Sequence, residues 1–181
     1  MREPTIARNY AQALFQSGER SGAGRSERYG DLIEAVAGAI QSDERIQAVL
    51  ESPRVSKPQK QQILAKALEG RAADAFVRFL GAIVKRGRQG LFSAISREYL
   101  ALLDVKANRV HAGVIVAREP DEKLKKEIAR RLSEVMGKTV LPHFRQDTNI
   151  LGGVIVRVGE LVMDGSLRRK LLVLRRQMLG A

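Results

Sequence analysis

Apolar positions in the first hundred residues recur at the three-and-four spacing of a helix buried along one face. Ile6, Tyr10, Ala13 and Leu14 form one stripe, widened by Ala7, Ala11 and Phe15, until Gly18 and the Ser21-Gly-Ala-Gly24 run interrupt it. Tyr29, Leu32, Ile33, Val36, Ala37 and Ile40 mark a second helix, and Ile46, Val49 and Leu50 a short third that stops before Ser52-Pro53. Ser56 is placed to cap a fourth, with Pro58 tolerated in its first turn; this helix carries Ile63, Leu64, Ala67 and Leu68 and closes at Gly70. Phe76, Phe79, Leu80, Ile83 and Val84 define a fifth, ending at Gly87, and Phe92, Ile95, Tyr99, Leu102 and Leu103 a sixth. Six helices with short polar connections and no strand pattern between them predict an antiparallel bundle.

The period then changes. Val110, Ala112, Val114 and Val116 alternate with His111, Gly113 and Ile115, the pattern of a half-buried strand. Glu119-Pro-Asp-Glu122 opens a helix bearing Leu124, Ile128, Leu132, Val135 and Met136, with Gly137 as its stop. Val140, Pro142 and Phe144 alternate again, and Pro142 moves that strand toward a sheet edge. Val154, Val156 and Val158 form a third strand, and Asp164-Gly165 signals a tight turn. Leu167, Leu171, Leu174 and Met178 then stand at spacings of four, three and four, with Arg168, Arg169, Lys170, Arg175 and Arg176 around the rest of the turn. The expected fold is α+β and mostly α: a six-helix bundle over residues 1–105, then a small βαββα domain over residues 106–181.

Composition narrows the chemistry. With no cysteine in 181 residues there is neither a disulfide framework nor a thiolate site, and two histidines leave little for a transition metal. No apolar run approaches the ~18 residues of a membrane span, and the start lacks the apolar core of a secretory signal. The net charge of +12 suits nucleic acid, an anionic membrane surface or an acidic protein partner. Residues 1–108 hold 17 basic and 12 acidic groups and residues 109–181 hold 15 and 8, so the excess leans toward the C-terminal part. Aromatic residues are only 4%, with no tryptophan, a poor supply for stacking single-stranded nucleic acid.

No catalytic constellation emerges. Gly152-Gly153 could suggest a phosphate loop, but a strand follows rather than a helix whose N-terminus would face the anion, so a strand start or bulge is expected. Gly165 reads as a turn residue needing positive φ, Ser166 as the cap of the last helix, and Asp164 as an acceptor for turn amides. His111 and His143 fall in predicted strands without a cysteine or a clear carboxylate constellation, so plain surface positions are expected. Asp121-Glu122 complements a helix dipole. The chain is read as non-catalytic, with no cofactor and no metal.

Two stretches carry a family resemblance. Ile6-Ala-Arg-Asn-Tyr-Ala-Gln-Ala-Leu-Phe15 is similar to the first-helix signature of the delta subunits of bacterial F-type ATP synthases. Gly152-Gly-Val-Ile-Val-Arg-Val-Gly159 with Asp164-Gly-Ser-Leu-Arg168 resembles the hallmark of the same family, whose mitochondrial relative is the oligomycin-sensitivity-conferring protein. The resemblance spans essentially the whole chain. It implies a stator, or peripheral-stalk, subunit of a proton-translocating complex on the cytoplasmic face of the bacterial plasma membrane, bound to the membrane only through its partners. It implies that the bundle grips the N-terminal helices of the alpha subunits of the catalytic head, and that the smaller domain meets the b subunits.

For the alpha-subunit contact, the implied groove runs between the first and fifth helices, with Ala7, Tyr10, Ala11 and Leu14 on one side and Phe79, Ala82, Ile83 and Arg86 on the other. Tyr10 could equally be bundle core. For the b-subunit contact the candidates are Leu161, Met163, Arg168, Arg169, Leu172, Arg175 and Arg176, joined by Val162 and Val173; the apolar ones could equally be core, and the basic face simply solvated. Gly152, Gly153, Gly159, Asp164, Gly165 and Ser166 are the expected structural motif. The rival from another class is a basic nucleic-acid-binding protein. Against it stand the scarce strand aromatics and the lack of an RNP-like motif, and no direct nucleic-acid partner is expected.

Overall fold

A computed structural model describes residues 2–179, apart from the side chains of residues 2 and 179. Its helices and strands follow in the order α1 (Arg2–Arg20), α2 (Arg25–Ser42), α3 (Glu44–Glu51), α4 (Lys57–Leu68), α5 (Asp74–Lys85), α6 (Phe92–Lys106), β1 (Arg109–Val116), α7 (Glu122–Met136), β2 (Thr139–Gln146), β3 (Val154–Val158), β4 (Leu161–Asp164) and α8 (Leu167–Leu179). The chain divides into two compact units, the first ending at Leu103 and the second starting at Asp104, so the last turn of α6 belongs to the second.

In the first unit the helical stripes converge on one core. Tyr29, Tyr99, Phe76, Phe92, Leu14, Ile33, Leu80, Ile83 and Ile95 are all but fully enclosed. Tyr29 and Phe76 pack at a tilt of 36° with centroids 5.4 Å apart, and Phe15 meets Tyr99 edge-on at 6.0 Å. Tyr99 also has a polar end to satisfy, and its hydroxyl donates to the Ser26 carbonyl at 2.8 Å. Local signals set the helix ends. Ser56 and Gln59 form a reciprocal capping box on α4, and Asp43 caps α3 by accepting from the Arg45 amide at 2.8 Å. Gly18 does not interrupt α1, contrary to the expectation from sequence. The helix runs on to Arg20, and a Cβ at position 18 would stand 2.9 Å from the Ser26 Cα, so glycine there lets α2 approach.

The second unit is a four-stranded sheet in the order β2-β1-β3-β4 with α7 on one face. Strands β1 and β2 are parallel, joined by α7; β1–β3 and β3–β4 are antiparallel. Ala112, Val114, Val116, Val140, Val156 and Val158 form the buried face, against Ile128, Leu132 and Met136 of α7. Pro142 lies on β2, an edge strand, where its missing N–H costs no inner ladder bond. The layout is βαβββα, so the expected βαββα lacked one strand. The chain reverses at Gly159-Glu160, pairing Val158 with Leu161, and β4 occupies the residues that precede the expected turn at Asp164-Gly165. Four residues of Leu-Val-Met-Asp are too short to show alternation, which is why β4 was hidden.

Candidate partner-docking surfaces

On the bundle, Tyr10 of α1 is the centre of a small polar-aromatic cluster. Its ring packs edge-on to Phe79 of α5 at 6.2 Å, and its hydroxyl accepts from Arg86 and from Arg88, each at 3.2 Å. The Arg88 guanidinium carbon stands 5.7 Å from the ring centroid. Burial pushes the Tyr10 phenol up, but the two guanidiniums outweigh it and hold its pKa below the usual value. The cluster therefore offers fixed positive charge around an aromatic edge.

The eight residues implied for this surface separate into two sets. Ala7, Ala11, Leu14 and Ile83 are 0–1% exposed and belong to the bundle core. Their helical spacing is the same whether a stripe faces inward or outward, and on α1 it faces inward. Tyr10 itself is 9% exposed, core by its ring and surface by its hydroxyl. Phe79 is half-buried, and Ala82 and Arg86 are exposed. Arg88, which sequence reasoning passed over, completes the cluster; its signal is a second arginine just past the Gly87 stop.

On the second unit the glycine motif acts as a backbone clasp. Gly153, at φ 79°, lies so close to the Gly165 carbonyl that any Cβ would overlap it. The Gly165 amide donates to the Val154 carbonyl and the Leu167 amide to the Gly152 carbonyl, both at 2.9 Å. A Cβ on Gly152 would meet Leu167 Cδ1 at 2.7 Å. Asp164 Oδ1 accepts from the Ser166 amide at 2.9 Å, and this bond together with the Ser166 side chain draws its carboxyl below the ordinary value. Ser166 Oγ then accepts from the Arg169 amide at 3.2 Å, capping α8 as expected. Positive φ falls at Gly153 and Gly159 rather than at Gly165.

The clasp fixes the start of α8 while the helix beyond it is uncovered. Leu167, Leu171, Leu172, Val173, Leu174 and Met178 are 45–86% exposed, and Arg168, Arg169, Lys170, Arg175 and Arg176 share the same open surface. Asp164, Arg169, Lys170, Val173 and Leu174 line a groove where the helix leaves the sheet. Leu161 and Val162 are about half exposed. Met163 is partly buried: it opposes Val156 in the ladder and packs against the sheet core. Exposed apolar side chains and arginines therefore lie side by side on this helix.

Among the described residues no helix is long and apolar enough to cross a membrane. The family model for the ATP synthase delta (OSCP) subunit matches residues 6–178. ATP synthase subunit delta of Gemmatimonas aurantiaca is 50% identical, over 97% of this chain and 94% of the relative. The subunit of the same name from Desulforamulus reducens is 33% identical, over 97% and 96%. In fold, the chain resembles one from a cryo-EM structure of the Toxoplasma gondii mitochondrial ATP synthase hexamer, with a TM-score of 0.67 at 20% identity over 96% of this chain and 97% of that one. A clasped glycine motif and two uncovered surfaces thus sit on a chain matched almost end to end, and the chain belongs to the ATP synthase delta (OSCP) subunit family.

Proposed function

We propose that this chain serves as a non-catalytic peripheral-stalk subunit of a bacterial F-type ATP synthase, joining the catalytic head to the membrane-anchored b subunits so that rotor torque does not turn the head. The observation that carries the reading is the family match, which runs through both units and includes the motif that positions α8. The first unit takes the alpha-subunit N-terminal helices beside Tyr10, Phe79, Ala82, Arg86 and Arg88. The second takes the b subunits on α8, through Leu167, Leu171, Leu172, Leu174, Arg168, Arg169, Arg175 and Arg176. The protein is held at the cytoplasmic face of the membrane only through these partners.

The physical demands fit these surfaces. A stator must dissociate slowly, which calls for nanomolar binding or tighter, roughly −12 kcal/mol. Exposed ion pairs contribute only ~0–1 kcal/mol each, so the arginines of α8 guide encounter and register. The affinity comes from apolar contact: completing the burial of a half-exposed leucine yields about 1 kcal/mol, and α8 offers several. The test is co-purification from detergent-solubilised membranes. A tagged chain is expected to retrieve alpha and b subunits together, and retrieval of neither would overturn the assignment. Salt-sensitive, sub-micromolar binding to arbitrary RNA or DNA would instead favour the nucleic-acid rival.

A further inference from the structure

The only two histidines of the chain are neighbours in space. His111 on β1 and His143 on β2 share the sheet face opposite the buried Ala112, Val114 and Val116. Their rings are nearly parallel, with 21° between planes and centroids 5.0 Å apart, and meet through their nitrogens, His111 Nδ1 standing 2.7 Å from His143 Nε2. On its other side His111 Nε2 lies 3.0 Å from Asp104 Oδ2, while Arg109 holds Asp104 Oδ1 at 3.0 Å. The isolated surface positions expected from sequence are therefore a linked row, and the carboxylate that was missing comes from the last turn of α6.

The chemistry of that row is specific. A carboxylate only accepts, so it holds the neutral His111 proton on Nε2 and leaves Nδ1 with a lone pair aimed at His143. A carboxylate behind an imidazole is the arrangement that orients metal-binding histidines and raises their basicity. We propose that His111 Nδ1 and His143 Nε2 form a two-nitrogen binding site for a divalent transition metal of the zinc–copper–nickel class. On binding, the proton between the two nitrogens leaves His143 Nε2 and is carried on His143 Nδ1 instead, so that both rings stay neutral and each offers one lone pair.

Zinc–nitrogen bonds of ~2.0–2.1 Å at a tetrahedral angle separate two nitrogens by about 3.3 Å. The observed 2.7 Å must open by roughly half an ångström, and the two rings, which now face each other head-on, must each turn by ~35° so that their lone pairs converge, a movement open to two exposed side chains. Among the described residues no three His, Cys, Asp or Glu side chains gather as a metal cage, so water fills the other positions and Asp104 acts from behind His111. Arg109 beside Asp104 and Lys125 and Lys126 in the groove with His143 oppose a dication, Lys125 being offset by Glu122 at 2.7 Å. The site therefore selects by affinity for nitrogen rather than by charge, and refuses the oxygen-seeking Mg2+ and Ca2+.

The experiment titrates the untagged full chain with Zn2+ by calorimetry, with Mg2+ as control, and follows the two histidine ring signals by NMR. One equivalent of Zn2+ is expected to bind and shift both rings, while Mg2+ gives neither heat nor shift. His111→Asn and His143→Gln, checked for folding by circular dichroism, are each expected to lower the affinity at least ~10-fold. Asp104→Asn is expected to lower it ~10-fold while both rings still shift. Unmoved ring signals in the wild-type chain at millimolar Zn2+ would overturn the site without reference to any variant. Undiminished affinity in His143→Gln would overturn it too, and undiminished affinity in Asp104→Asn would remove the positioning role of the carboxylate.

Discussion

Gly153 and Gly165 touch backbone to backbone, and that contact joins the sheet to the start of the last helix. Gly153→Ala would add a methyl against the Gly165 carbonyl at a φ of 79° that alanine disfavours. We expect about 2–3 kcal/mol of destabilisation, measured by urea unfolding. Because the same contact aims α8, binding to b subunits should fall along with stability. A stable variant with full b-subunit affinity would show that the clasp is dispensable.

Tyr99 and Ser26 are linked across the bundle core by one hydrogen bond of 2.8 Å. Tyr99→Phe removes this bond, with an expected cost of about 1 kcal/mol near neutral pH. Burial first, then the negative charges of Glu27 and Glu19, push the Tyr99 phenol above its ordinary value of 10.0. A pKa raised in the folded state gives stability that is fully present below the unfolded value and lost as pH climbs toward the folded one. The wild-type bundle should therefore weaken above about pH 10, and Tyr99→Phe should show a flatter alkaline limb in thermal melts taken from pH 8 to 12.

Ala82 is exposed on α5 one turn from Phe79, whereas Tyr10 lies in the core by its ring. Ala82→Glu should leave bundle stability within ~0.5 kcal/mol yet weaken capture of the alpha subunits at least ~10-fold. Tyr10→Asp should instead destabilise the bundle by burying a charge. Paired measurements of melting temperature and head binding distinguish the two, and an Ala82→Glu variant with normal head affinity would move the docking surface elsewhere.

On α8, Leu171 and Leu174 are more than half exposed. The double variant Leu171→Asp, Leu174→Asp should retain the unfolding midpoint of the second unit while losing b-subunit binding by ~100-fold or more. Loss of stability equal to the loss of binding would show that these leucines serve the fold rather than a partner.

Much of this was legible in the chain. The bundle helices were visible because apolar period, caps and glycine stops agree with one another, as at Ser56, Gln59 and Gly70 on α4. What periodicity could not tell was direction. Ala7, Ala11, Leu14 and Ile83 have the spacing of a docking stripe, but that spacing also describes a core, and only packing decides between them. The pairing of His111 with His143 was hidden for a different reason. It depends on the parallel register of β1 and β2, a long-range fact that no local pattern encodes.

Helix α8 is tethered at its start and exposed from residue 168 to residue 178, and thirteen residues are a marginal length for a helix in water without support. Its arginines therefore double as cleavage points whose accessibility depends on assembly. In the free chain trypsin should cut first at Arg168, Arg169, Arg175 and Arg176, and in the assembled enzyme those cuts should slow by an order of magnitude or more. A subunit left without a complex would thus advertise itself for degradation, and the segment that does so is the one proposed to dock the b subunits.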